Sequence, residues 1–393
     1  MIVCGLMSGT SLDGIDAALV AVEPRGAGYA TRLLAFETTP LSGPLLARIA
    51  RALPPHEPSP RAVAELDAAL GDAFAAAVAR LRDRWPEHVI AFVASHGLTL
   101  YHDGDASLTT QIGDPYRIRD AACATVVCDF RRADCARGGA GAPLVPYVDA
   151  LLYGALGERL VALNIGGIAN LTLLDPVFGD VRAWDTGPGN LLLDTFVSER
   201  TNGSERFDRD GARAARGRID EPLLAALLAD PYFARRPPKS TGRERFGAPY
   251  LARFAGALAP LSLEDGCATL AAFTAETIAR DLLREAAPPA TVVASGGGAR
   301  NSAILAALSA RAPGFTVTTS DAYGIDADAK EAIAFAVLGY ETLRGRAASL
   351  PAVTGAATAA VLGAIIPHDL TRLLAAVARE TEHRGAQTSN PAG

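Results

Sequence analysis

The 393-residue chain has no CxxC pair: Cys4, Cys123, Cys128, Cys135 and Cys267 are odd in number and scattered. That excludes a disulfide framework and a zinc site of the usual spacing. Free thiols suit a reducing cytosol. Positive charge is also scarce. With 37 Lys and Arg against 43 Asp and Glu, the net charge is −6, and there is no dense basic run. Nucleic acid and an anionic membrane surface, both bound through phosphate, are therefore excluded as partners. The opening Met1 to Gly9 lacks the basic and apolar regions of a signal peptide. One uncharged stretch, Ala347 to Pro367, is long enough to span a bilayer. It is mostly Ala, Gly and Thr with prolines at both ends, too weakly apolar to insert, and reads as a buried strand with loops. A soluble, cytoplasmic protein is expected.

What the chain does have is apolar residues, 49% of the total against 20% charged, enough for two or three domains with cores of their own. Apolar runs at Ile2–Leu6 and Ile15–Val22 flank a Gly/Ser/Thr loop and read as a hairpin. Leu160–Ile165 and Leu171–Leu174 around Gly166-Gly167 repeat that outline, which suggests a duplicated architecture. Strands are predicted at Val89–Ala94, Ala124–Cys128 and Thr291–Ala294. Helices are predicted at Leu45–Ala52, Val63–Arg84, Leu192–Arg200, Cys267–Arg284, Asn301–Arg311 and Lys330–Leu343, with a frayed polar tail after Arg379. The alternation points to α/β layers.

Several segments have the composition that chemistry needs. Gly9, Thr10, Ser11 and Gly14 offer close backbone approach and neutral donors, as a phosphate cradle does; an ordinary turn fits equally well. No GK[ST] follows, so it is not a Walker loop. Asp13 and Asp16 stand beside a metal or cap the turn. Gly296-Gly297-Gly298 lies between a strand and a helix, where a nucleotide docks against a helix N-terminus, although the GxGxxG spacing is missing. Asp185 precedes a Gly/Pro/Asn stretch between a strand and a helix, so it is a candidate general base or, with Thr186, a helix N-cap. His96 sits where a strand runs out. Without a partner Cys or Ser, it reads as a substrate contact rather than part of a nucleophilic triad. Asp129, Arg131 and Asp134 cluster at another strand end, and Glu331 opens an otherwise apolar helix.

Taken together, these segments resemble the anhydro-N-acetylmuramic acid kinases. The matching strings are GLMSGTSLDGIDAALV, SHGLTLYH, QIGD, DFRRADCARGGAGAPLVP, NIGGIANLT, DTGPGN, ASGGGARN, KEAIAFAVLG and LPAVTGA, in the family's order from residue 1 to about 367. The resemblance implies the two-domain, actin-like ATPase fold of ribonuclease-H-like topology, with an ATP cleft between the domains. Domain I is expected at 1–128 plus 345–393 and domain II at 129–344.

The resemblance also implies ATP and Mg²⁺ as cofactors. It assigns Gly9, Thr10, Ser11, Leu12, Asp13, Gly14, Ile15 and Asp16 to the first phosphate loop. Gly166, Gly167 and Asn170 fall to the second, and Gly296, Gly297 and Gly298 to the adenosine site. Asp185 becomes the catalytic base, with His96, Arg131 and Glu331 facing the sugar. The family usually carries Gln where this chain has Leu98 and Ala140, and superfamily relatives carry Asp where Met7 stands. The magnesium carboxylate is thus left among Asp13, Asp16 and Asp185.

The implied reaction opens 1,6-anhydro-N-acetylmuramic acid with water and phosphorylates it to the 6-phosphate in peptidoglycan recycling. A plain sugar kinase of the same superfamily and an ATP-driven actin- or chaperone-like switch are the rivals. A homodimer is left open.

Overall fold

The computed structural model describes residues 1–9, 12, 14–25, 28–54, 56–154, 158–174 and 181–388. It divides into two compact units, Met1–Ala155 with Ala329–Gly393, and Leu156–Asp328. The sequence reading put the boundaries at 128/129 and 344/345. They fall elsewhere because the Val145–Tyr153 and Lys330–Leu343 helices pack into the first unit, where the Lys330 ammonium meets the Asp149 carboxylate at 2.9 Å.

The first unit is built on a mixed sheet: β1 (Ile2–Ser8), β2 (Ile15–Arg25), β3 (Gly28–Thr39), β4 (Phe92–Asp103), β5 (Leu108–Ile112), β6 (Thr125–Cys128) and β12 (Ala364–Ile366). Its order is β12-β6-β4-β1-β2-β3, with β5 hairpinned onto β4. β1 pairs antiparallel with β2 and parallel with β4. As the central strand β1 is covered on both faces, which is why it reads as a continuous apolar run rather than an alternating one. The core joins Leu6, Leu19 and Val93 to Leu70, Phe74 and Leu81 of the Pro60–Arg84 helix. Ser59 caps that helix by accepting from the Ala62 N–H, with Pro60 just inside.

The second unit repeats the plan with β7 (Leu160–Ile165), β8 (Ile168–Leu174), β9 (Arg182–Pro188), β10 (Ala290–Ser295) and β11 (Phe315–Thr319) in the order β11-β10-β7-β8-β9. Here too the first strand is central, antiparallel to the second and parallel to the fourth. This order and these senses, met twice, are those of the ribonuclease-H-like, actin-like ATPase fold. The unit has its own core, in which Leu163, Leu171 and Trp184 meet Phe196 and the buried Leu263–Glu285 helix.

Several expectations are corrected. β4 does not end at Ser95: it runs on to Asp103, because past Leu98 it acquires β5 as a partner. Asp185 lies inside β9, not after it. The Leu370–Thr388 helix runs past Arg379, where a frayed tail was expected, and the rest of that tail, 389–393, lies outside the described residues. The uncharged 347–367 stretch holds a short Pro351–Thr354 helix and β12, an edge strand that is half exposed rather than buried. Among the described residues no helix is long and apolar enough to cross a membrane.

Candidate active site

The first hairpin turn follows β1. Leu12 takes a left-handed φ of 59° and its N–H donates to the Gly9 carbonyl at 3.2 Å, while the Ser8 hydroxyl donates to the Gly14 carbonyl at 2.8 Å. Ile15 opens β2. Asp16 stands opposite Met7 and accepts from the Thr38 hydroxyl at 2.6 Å. Thr10, Ser11 and Asp13 lie outside the described residues.

In the second unit three glycine segments meet. Gly166 and Gly167 turn β7 into β8, and the N–H groups of Gly189 and Asn190 donate back to the Gly167 and Gly166 carbonyls at 2.9 and 2.8 Å. Gly296–Gly298 leaves β10 beside them. A Cβ on Gly298 would lie 2.2 Å from Ile165 Cγ2 and 2.8 Å from Asn190 Oδ1, and one on Gly296 2.5 Å from Asn164 Oδ1. These two glycines are therefore demanded by packing. Gly166, Gly167 and Gly297 are not: a Cβ there would meet nothing nearer than 3.6, 3.8 and 3.7 Å. Packing therefore does not account for the glycines at these three positions.

Asp185 is held from two sides. Across the sheet it is in register with Asn170. Its Oδ2 accepts from the Ser240 hydroxyl and from the Thr241 N–H, each at 2.9 Å. The N-cap alternative does not hold. The Leu191–Arg200 helix begins after Asn190, and neither Asp185 nor Thr186 caps it; the Thr186 hydroxyl donates to the Ala169 carbonyl instead.

In the first unit, His96, Arg131 and Glu331 come together. The Arg131 Nε–H donates to His96 Nε2 at 3.0 Å, and a second guanidinium N–H reaches the Gly141 carbonyl at 3.0 Å. With Nε2 accepting, Nδ1 carries the proton and donates to the Gly97 carbonyl at 3.0 Å. The ring also stacks on Phe335, 4.5 Å between centroids. Burial, then the Arg131 charge, pushes the His96 pKa down to about 3. It is neutral at any working pH, and both of its nitrogens are engaged. Burial also lowers the Arg131 pKa, while the Glu331 carboxylate acts in the opposite sense.

The model of the anhydro-N-acetylmuramic acid kinase family matches residues 1–368. The chain belongs to this family. An anhydro-N-acetylmuramic acid kinase of Streptomyces coelicolor is 44% identical over 370 residues, covering 93% of this chain and 94% of the relative. One from Xanthomonas axonopodis is 48% identical over 92% and 97% of the two chains. Among solved structures, the activator of 2-hydroxyisocaproyl-CoA dehydratase from Clostridium difficile with bound ADPNP aligns at 13% identity and a TM-score of 0.41, covering 86% and 94% of the two chains. As an anhydro-N-acetylmuramic acid kinase, the protein is a phosphotransferase, which removes the switch reading.

For a kinase of this family, magnesium is the implied ion. No group of three His, Cys, Asp or Glu residues suited to a metal occurs among the described residues. Magnesium does not require one, because it takes one or two carboxylates and fills the rest of its octahedron with water and phosphate oxygens. Of the three candidate carboxylates, Asp16 and Asp185 are among the described residues and Asp13 lies outside them. Sequence reasoning missed Ser240 and Thr241. They stand far from Asp185 along the chain, in a segment without regular secondary structure, and carry no motif of their own.

Proposed function

We propose that the protein uses ATP to convert 1,6-anhydro-N-acetylmuramic acid into N-acetylmuramic acid 6-phosphate. The observation that supports this best is the Asp185 carboxylate, fixed by Ser240 and Thr241, in a chain of this family. Asp185 takes a proton from the water that attacks the anomeric carbon. The bond from that carbon to the bridging oxygen breaks, and the oxygen forms its new bond to the γ-phosphorus as ADP departs. No separate acid is required, because the phosphoryl group captures the leaving oxygen. The turns at Gly166-Gly167 and Gly297 leave a backbone clear of side chains for phosphate, and the first phosphate loop, partly outside the described residues, is assigned by the family resemblance. Asp13, Asp16 or Asp185 would hold magnesium, which would supply neutralisation of phosphate charge, the main demand of phosphoryl transfer. Arg131 and Glu331 are the sugar contacts, and His96 orients Arg131. The substrate is the anhydro form of a cell-wall amino sugar, so we place the reaction in peptidoglycan recycling in the cytoplasm, where ATP is supplied.

The test is ADP release with the anhydro sugar in ¹⁸O-labelled water. The label is expected on the anomeric oxygen, with inversion at that carbon and none in the transferred phosphate. Label in phosphate would indicate ATP hydrolysis, and an unlabelled sugar phosphate would indicate a plain sugar kinase. General-base assistance is worth about 10²–10⁴-fold, so Asp185→Asn should lose at least the lower figure in kcat while still binding ATP.

A further inference from the structure

We propose that the Lys239–Thr241 segment is a clamp that positions the Asp185 carboxylate, and that Ser240 is the positioning residue through which it acts. The inference rests on Asp185 being the base.

Residue 185 is gripped at backbone and side chain by one short segment. The Asp185 N–H donates to the Lys239 carbonyl at 3.2 Å, while the Ser240 hydroxyl and Thr241 N–H both go to Oδ2. Two donors on one oxygen fix the plane of a carboxylate as well as its place. The segment has no helix or strand to hold it. Its anchor is the Lys239 side chain, 0% exposed, with its ammonium 2.8 Å from Asp281 in the Leu263–Glu285 helix and 4.9 Å from the Tyr232 ring centroid. The Tyr232 hydroxyl in turn donates to the Asp185 carbonyl at 2.8 Å.

Asp281 also receives the Trp184 indole N–H at 2.8 Å and the Arg284 guanidinium at 2.5 Å. Trp184 and Asp185 are consecutive in β9, so their side chains point to opposite faces. Asp281 therefore holds the strand from the core side and, through Lys239, supplies the donors on the other. A buried ion pair is a poor source of stability, since apolar residues of like volume serve as well. As a fixed support for a reacting group it has a use, because such groups need their geometry set by locked neighbours.

The experiment is a double-mutant cycle on the full chain, with kcat and both KM values measured for Ser240→Ala, Ser240→Thr, Asp185→Asn and Asp185→Asn/Ser240→Ala. Small misplacement at a reacting centre costs up to about 10²-fold. Ser240→Ala should thus lose roughly 10- to 100-fold in kcat with KM for sugar and ATP within about twofold, and Ser240→Thr should restore most of it. In the Asp185→Asn background the Ser240 change should cost nothing more. A wild-type kcat for Ser240→Ala beside an inactive Asp185→Asn overturns the clamp and leaves the base standing. An additive double mutant also overturns it, placing Ser240 in another role. An active Asp185→Asn enzyme overturns the base and the clamp with it.

Discussion

Gly166 and Gly167 keep a side-chain-free backbone in a place where the protein would tolerate a methyl group, with nothing nearer than 3.6 and 3.8 Å to an added Cβ. Gly298 is the opposite case, with Ile165 Cγ2 at 2.2 Å. The contrast predicts that Gly167→Ala leaves the melting temperature of the ligand-free protein within a degree or two but raises KM for ATP. Gly298→Ala should destabilise by about 1–3 kcal/mol, the usual cost of overpacking. Thermal melts and steady-state kinetics on both variants check this. If Gly167→Ala binds ATP like wild type, the second turn is only a turn. His96 supports a second residue-level prediction. Its folded pKa of about 3 lies below the unfolded value of about 6.5. Stability is therefore fully present above pH 6.5 and is lost as pH falls toward 3. By pH 4 the loss amounts to roughly 3 kcal/mol. His96→Asn, which keeps an acceptor for Arg131, should show a flatter decline between pH 6.5 and 4 in urea titrations. Equal slopes for the two proteins would mean that the ring is not buried neutral.

Among the elements, the Lys330–Leu343 helix governs the residues of the first unit that we propose contact the sugar. It lies on the sheet backbone to backbone. A Cβ on Gly5 of β1 would fall 2.0 Å from the Ala332 carbonyl oxygen, and one on Gly339 would fall 2.8 Å from Ala94 Cβ. Glu331 and Phe335, which face Arg131 and His96, ride on this helix. Gly5→Ala is thus expected to cost about 1–3 kcal/mol in chemical denaturation and to raise KM for the sugar more than KM for ATP. Unchanged stability would show that the helix is free to shift. The bounds of this helix, and the strand–turn–strand units at Gly9 and Gly166, were legible because their apolar periodicity is uninterrupted. β3 was not, being an edge strand whose residues are mostly half exposed, and β4 was read short because its second half draws its partner from β5. The reason for Gly5 was also invisible: the atom that excludes a side chain belongs to Ala332, distant in sequence. The same holds for Ser240 and Thr241, which were undetectable while Asp185 stood out by its glycine-rich sequel.

Across the whole molecule one plan occurs twice: a central strand, an antiparallel neighbour reached through a small polar turn, and parallel strands on the other side. Each unit has its own hydrophobic core, so each can keep its first turn in place without support from the apolar contacts of the other. The turns after β1 and β7 thus occupy equivalent topological positions, and both leave from the most deeply buried strand of their sheet, where a rigid base holds backbone donors at least cost in entropy. If both serve phosphate, a non-hydrolysable ATP analogue with magnesium should slow amide exchange in peptides covering residues 5–17 and 163–171 alike. Because the ligand binds only the folded form, at a hundredfold excess over Kd it should also stabilise the protein by about 2.7 kcal/mol. Gly167→Ala should abolish the protection at 163–171. Protection confined to one of the two peptides would assign the phosphates to that repeat alone, and stabilisation without protection at either would place the nucleotide elsewhere in the fold.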